Sequence, residues 1–202
     1  LVHKLQVEQG ALFAIQTLTD KGELIAVGEE GYAYVWSLTD FQLLYRFKVS
    51  PTTIRCIAVF PNQQQLLFGD KNGFLYTYDV SDYKQLLAEK IHSLPVTSLL
   101  VSETYIFSGG RDAQLMKLSQ KDLHTEQQVT PHMFTVYDIL AVPNLPIIIT
   151  VSRDKTIKIW DSRDFSLLKN IAVDRGFDSH RLSINKAFWS TYRQQLITVA
   201  DD

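Results

Sequence analysis

Residues 152–161 read SRDKTIKIWD. Ser152 lies two residues before Asp154, His132 lies upstream, and the stretch ends in Trp160-Asp161. A Ser, a His and an Asp fit either a hydrolase's nucleophilic set or the internal bracing of a repeated unit. Recurrence separates the two, because a catalytic set appears once and a building rule appears in every period. The Ser also sits in VSRD, with no G-x-S-x-G elbow to expose its hydroxyl.

Working outward, the stretch has counterparts. VGEEGYAYVWS from Val27, FGDKNGFLYTYDV from Phe68 and SGGRDAQLMKLS from Ser108 align with VSRDKTIKIWDS from Val151. Trp36, Tyr78, Leu118 and Trp160 recur at steps of 42, 40 and 42 residues. A fifth copy opens with LITVADD, where Asp202 follows Asp154 by 48 residues, the surplus falling in DRGFDSH. Such a period marks a repeat architecture. Each unit predicts four short strands: an apolar run such as IRCIAVF, a second such as QLLFG, a tight turn carrying Asn72-Gly73 or Asp154-Lys155, a third such as TIKIWDS, and a fourth such as FSLLKNIAV. No unit offers the ten or more periodic residues of a packed helix, and Val, Ile, Thr, Tyr and Phe dominate the apolar runs. Runs apolar on both faces, such as LPIIITVS, suit sheets stacked between neighbouring sheets.

The remaining composition narrows the function classes. A net charge of −2 gives no whole-protein field for nucleic acid or anionic membrane. The single Cys, Cys56, reads as a small buried hydrophobe, and one Cys forms no internal disulfide. The apolar runs are far shorter than a membrane span, and residues 1–9 do not read as a signal peptide. These features make the cytoplasm the expected compartment. The ends are abrupt, which reads as a fragment of a longer polypeptide.

On these residues the chain resembles the WD-repeat family, with four full repeats and two partial ones. The resemblance is strongest over residues 132–161, where a His, an apolar strand, a turn, a Ser-containing strand, an Asp and Trp-Asp follow in order. It implies an all-β β-propeller of four-stranded antiparallel blades, about five blades' worth here, within a seven-bladed ring. The expected divisions are residues 1–9 as the outer strand of a preceding blade, blades over 10–49, 50–91, 92–130 and 131–173, and a partial blade over 174–202. It further implies a structural hydrogen-bond chain: Asp154 accepts from His132, Ser152 links onward, and the Trp160 indole closes it. His92 with Asp112 and His180 with Asp202 stand at matching positions. The other units depart from the pattern. Asn72 and Glu30 replace the turn Asp, Ser50 replaces the His, and Leu118 replaces the Trp.

No other chemistry is written as clearly. The five His form no i, i+4 pair and there is no Cys cluster, so no metal is expected. Neither a P-loop nor G-x-G-x-x-G is present, and no cofactor is expected. KNGFLYTYD reads as a tyrosine-rich strand rather than a nucleic-acid platform.

The resemblance places ligands at the residue before each turn acid and at the residues flanking the first core position of each blade. The pre-turn residues are Glu29, Lys71, Arg111, Arg153 and Asp201. The flanking residues are Ala11 and Phe13, Thr53 and Arg55, Pro95 and Thr97, Thr135 and Tyr137, and Ser183 and Asn185. Lys71, Arg111, Arg153 and Arg55, with the aromatic surface of Phe13 and Tyr137, form the expected partner-binding set. Arg grips carboxylates and phosphates through two parallel hydrogen bonds, so an acidic or phosphorylated peptide is the expected partner. The expected function is a non-catalytic protein-interaction scaffold. The alternatives are a regulatory or sensor propeller in a larger protein and, third, a propeller-fold enzyme.

Overall fold

The computed structural model describes residues 5, 7 and 10–202. It divides into two compact units, Leu1–Val96 and Thr97–Asp202, described in turn. The strand expected over residues 1–9 falls largely outside the described residues.

Unit one holds two four-stranded antiparallel sheets in sequential order. The first comprises β1 (Leu12–Leu18), β2 (Glu23–Gly28), β3 (Tyr32–Ser37) and β4 (Leu43–Lys48). The second comprises β5 (Ile54–Val59), β6 (Gln65–Asp70), β7 (Phe74–Asp79) and β8 (Gln85–Lys90). Unit two holds β9 (Val96–Val101, whose first residue closes unit one), β10 (Tyr105–Gly110), β11 (Leu115–Ser119) and β12 (Thr125–Val129) as one such sheet. A second sheet comprises β13 (Val136–Ala141), β14 (Ile147–Ser152), β15 (Ile157–Asp161) and β16 (Leu167–Ile171). The hairpin of β17 (Ile184–Ser190) and β18 (Gln195–Ala200) completes it. These are propeller-type blades, the all-β class that the period implied.

Burial explains why each unit reads apolar in its middle and polar at its end. The central strands β2, β3, β6 and β7 are buried on both faces, while the fourth strands β4 and β8 are largely exposed. In unit one Ile25, Val27 and Val35 of the first blade pack with Ile54, Leu66 and Phe68 of the second in one core. In unit two Phe107 and Leu115 pack with Val136, Ile148 and Trp160, and Val151 and Ile157 pack with Ile184. A polar latch adds to the apolar contact in unit one. Lys21 donates to the Val80 carbonyl at 2.9 Å and pairs with Glu23 at 3.3 Å, and the Tyr83 hydroxyl donates to Glu23.

Two local devices repeat. The turn between third and fourth strands holds Phe41, Tyr83, Leu123 and Phe165 at φ of 59, 55, 59 and 60°. That left-handed region is costly for a bulky apolar side chain. The preceding acid offsets the cost: Asp40, Asp82, Asp122 and Asp164 each accept from the backbone N–H two residues on, at 2.9–3.2 Å. The apolar side chain is then tucked inward, with Leu123 1% and Phe165 6% exposed. The polar breaks TD, SD, QKD and SRD therefore fix the turn geometry.

The second device is a bulge in the first strand of a blade. The ladder skips from Leu12 to Ala14, Ile54 to Cys56, Val136 to Asp138 and Ile184 to Lys186. Phe13, Arg55, Tyr137 and Asn185 are the extra residues. A bulge leaves its residue outside the ladder and re-aims the side chain.

Candidate functional site

The bracing network is built from β14, β15 and the segment before β13. His132 Nδ1 lies 3.0 and 3.1 Å from the two Asp154 oxygens, and Nε2 lies 2.8 Å from Thr150 Oγ1. Trp160 Nε1 donates to the same Thr150 oxygen at 3.0 Å. Burial lowers the His132 pKa and keeps the imidazole neutral. Only one arrangement of protons satisfies all partners. Trp160 donates to Thr150, Thr150 donates to Nε2, and Nδ1–H donates to Asp154. Burial alone would raise the Asp154 pKa, but hydrogen bonds from His132, Thr156 and the Met133 N–H hold it well below the usual carboxylate range.

The expected link through Ser152 is corrected here: Thr150 makes it. Trp160 pairs with Ile148 across the ladder, two residues from Thr150 and four from Ser152 on the same strand. The Ser152 hydroxyl is used by the turn instead, accepting from the Asp154 N–H at 3.0 Å and donating to the Phe134 carbonyl at 3.4 Å.

The hairpin carries the same spacing. His180 Nδ1 lies 2.7 Å from Asp202 and Nε2 lies 2.8 Å from Thr198 Oγ1. His92 is buried in unit one. Asp112, in unit two, accepts from the Gln114 N–H at 3.2 Å.

The second blade of unit one solves the same problem with other residues. Asn72 stands where the turn acid is expected, and the carboxylate sits two residues earlier, at Asp70. This side chain is fully buried. It accepts from the Asn72 and Phe74 N–H groups at 2.8 and 2.9 Å, from Ser50 Oγ at 2.7 Å and from the Tyr76 hydroxyl at 3.0 Å. Sequence reasoning missed Asp70 because alignment to the turn counts positions, while the network requires only a carboxylate within reach of the turn amides. Ser50 and Tyr76, polar residues flanking apolar runs, were the available signal.

The pre-turn residues Glu29, Lys71, Arg111, Arg153 and Asp201 are exposed, whereas the flanking Thr135 is buried. In unit one the Glu29 N–H donates to the Ala11 carbonyl at 2.9 Å and the Lys71 N–H to Thr53 at 2.8 Å. In unit two the Arg153 N–H donates to Thr135 at 3.2 Å and the Asp201 N–H to Ser183 at 3.1 Å. Pre-turn and flanking residues are thus hydrogen-bonded neighbours. The Arg55 guanidinium lies 4.8 Å from the Phe13 ring centroid, and Phe13 is 46% exposed. Arg153 stacks at 5.9 Å on Phe134, an exposed aromatic that the sequence reading did not single out, rather than on half-buried Tyr137. Asn185 donates to Asp201 at 2.5 Å. Lys71 and Arg111 are exposed, and no ion pair engages them among the described residues. The Thr97 hydroxyl is occupied by the Gly109 and Val136 carbonyls at 3.1 and 2.6 Å. Among the described residues no group of three His, Cys, Asp or Glu is placed to hold a metal ion.

Comparison with known proteins bears on this geometry. The family model described as WD domain, G-beta repeat matches residues 124–161, which contain His132, Thr150, Asp154 and Trp160. This is a WD-repeat protein. The WD-repeat chain is 29% identical over 136 residues to the pre-rRNA-processing protein IPI3 of Yarrowia lipolytica, covering 62% of this chain and 32% of that protein. It is 26% identical over 163 residues to the target of rapamycin complex subunit LST8 of Bos taurus, covering 72% and 48%. It is 23% identical over 198 residues to the kinesin-like protein KIF21A of Homo sapiens, covering 92% and 11%. The chain therefore spans about half or less of the length of these relatives.

Proposed function

We propose that this WD-repeat chain is a non-catalytic, cytoplasmic interaction scaffold that binds an acidic or phosphorylated peptide segment of a partner protein at its loop ends. One observation carries the reading: the first strands bulge at Phe13, Arg55, Tyr137 and Asn185, the second flanking positions. Side chains held outside the ladder contribute little to sheet pairing and are available for contact. Arg55 on Phe13 and Arg153 on Phe134 add cations pre-positioned on aromatic faces, the residue types that anchor interfaces. That LST8 is a complex subunit supports a scaffold reading. The test is a phosphopeptide array probed with the full-length protein and with Lys71→Glu/Arg111→Glu/Arg153→Glu. Acidic and phosphorylated spots bound by wild type disappear in the variant while its melting temperature is retained. An unchanged pattern ends the proposal.

A second reading is a regulatory propeller within a larger protein. It is favoured by the match across 92% of this chain to only 11% of a kinesin-like protein. Intact mass of the natural protein separates the two: a mass well above that of one propeller supports the second.

A further inference from the structure

The repeat lengthens between β16 and β17, and a cavity opens there. The surplus residues form a 3-10 turn, Val173–Arg175, closed by Gly176 at φ 80°. The Phe177 N–H returns to the Ala172 carbonyl at 3.3 Å, and the Lys169 ammonium lies 5.0 Å from the Phe177 ring centroid, so the loop is braced. It walls a cavity of about 850 Å³ within unit two. That size lies inside the range of small-ligand sites, roughly 300–1,000 Å³.

The lining is cationic on an apolar base. Lys155, Lys158, Arg175 and Arg181 line it, with Met133, Leu167 and Val173 as apolar wall. The lining carboxylates are Asp154 and Asp174. Asp154 is already held by His132, Thr156 and the Met133 N–H. Both nitrogens of His180 are committed to Asp202 and Thr198. Among the described residues no ion pair engages Lys155, Arg175 or Arg181. Lys158 is buried, and its ammonium donates to Thr156 Oγ1 at 2.8 Å. Its approach to Asp154 is 3.8 Å, and His132 Nδ1, at 3.5 Å, already donates to that carboxylate. An ammonium carries three donors, so Lys158 retains hydrogen-bonding capacity. Burial lowers its pKa, Asp154 opposes the shift, and Arg175 adds to it.

We propose that this cavity binds a small organic phosphate, its oxyanion held by Arg175, Arg181 and Lys158 and its apolar body against Met133, Leu167 and Val173. Two parallel N–H bonds from each guanidinium match the phosphate oxygens. None of the cavity's lining residues belongs to the loop-end set of the proposed peptide function, although Asp154 and Lys155 follow Arg153 directly.

Isothermal titration calorimetry of phenyl phosphate into the full-length protein tests this. Saturable binding is expected for wild type and for Arg55→Glu/Lys71→Glu. Arg175→Gln/Arg181→Gln loses about tenfold or more in affinity, that is, about 1.4 kcal/mol or more. Both arginines are exposed, and Arg181→Gln alone repeats the test with a smaller change. Phenol, without the oxyanion, does not bind. Retained affinity in the arginine variants overturns the assignment. So does inorganic phosphate binding as tightly as phenyl phosphate, or binding of a phosphopeptide with phenyl phosphate inert.

Discussion

His132 and Trp160 are joined through one hydroxyl: Thr150 Oγ1 stands 2.8 Å from His132 Nε2 and 3.0 Å from Trp160 Nε1. Thr150 is fully buried, and so is its neighbour in the strand, Ser152. Thr150→Val keeps the shape and leaves two buried polar atoms unpaired, a loss of about 1–3 kcal/mol. Ser152→Ala removes a long bond and a turn contact, and costs about 1 kcal/mol or less. Urea unfolding of both variants measures the order. Ser152→Ala as the more harmful change would return the link to Ser152.

Asp70 and Asn72 make an opposite pair. Asp70→Asn replaces an acceptor-only group by one that turns N–H donors toward amide and hydroxyl donors, and a loss of about 1–3 kcal/mol follows. Asn72→Ala, at an exposed position, stays within about 0.5 kcal/mol. Thermal melts of the two variants decide this. Comparable losses would mean that the turn, not the carboxylate, carries the stability.

Acid should loosen the His132 network before it reaches ordinary carboxylates. The folded pKa of His132 lies below the imidazole value of 6.5, so the unfolded chain takes up the proton first. Stability is full above pH 6.5 and falls as pH drops below it. Asp154, also depressed, adds a second loss below its ordinary value of 3.8. The melting temperature measured from pH 8 to 4 should decline from about 6.5 downward in wild type, and more shallowly in His132→Gln. Parallel curves for the two would rule out His132 as the source.

Two glycines at positive φ separate space from strain. A Cβ on Gly73, at φ 87°, would stand 2.0 Å from the His92 carbonyl oxygen, whereas one on Gly22, at φ 64°, meets nothing within 4 Å. Gly22→Ala pays for backbone strain alone, about 1–2 kcal/mol. Gly73→Ala also forces the backbone apart and costs more than 4 kcal/mol by the scale of exceptional substitutions, roughly 4–5 kcal/mol. Soluble yield and chemical melts compare them, and equal effects would refute the clash.

The strands and their order were legible because burial on two faces writes a continuous apolar run, as in QLLFG, and because the tight turns carry Gly or Asp. The brace was legible at its ends, His132, Asp154 and Trp160, since His and Trp are few in this chain and the three follow one another in the order of the repeat. Its middle was not. Thr150 sits in IIITVS, where a Thr reads as another β-former, and only the pairing of Trp160 with Ile148 shows which hydroxyl the indole meets. Asp70 was hidden for a related reason: hydrogen bonding conserves distance, not sequence register. The bulges at Phe13 and Arg55 left no mark, because an extra residue in one strand changes no residue type. The cavity beside Arg175 was visible only as a lengthened step.

The bulge at Phe13, Arg55, Tyr137 and Asn185 has an evolutionary consequence. These four side chains differ in size, charge and polarity, yet each occupies the same place, the step at which its ladder skips a residue. A position that takes no part in pairing is less constrained by the sheet than its neighbours. Recognition can thus drift one blade at a time, and a library randomised at these four codons would sample new specificities on an unaltered frame.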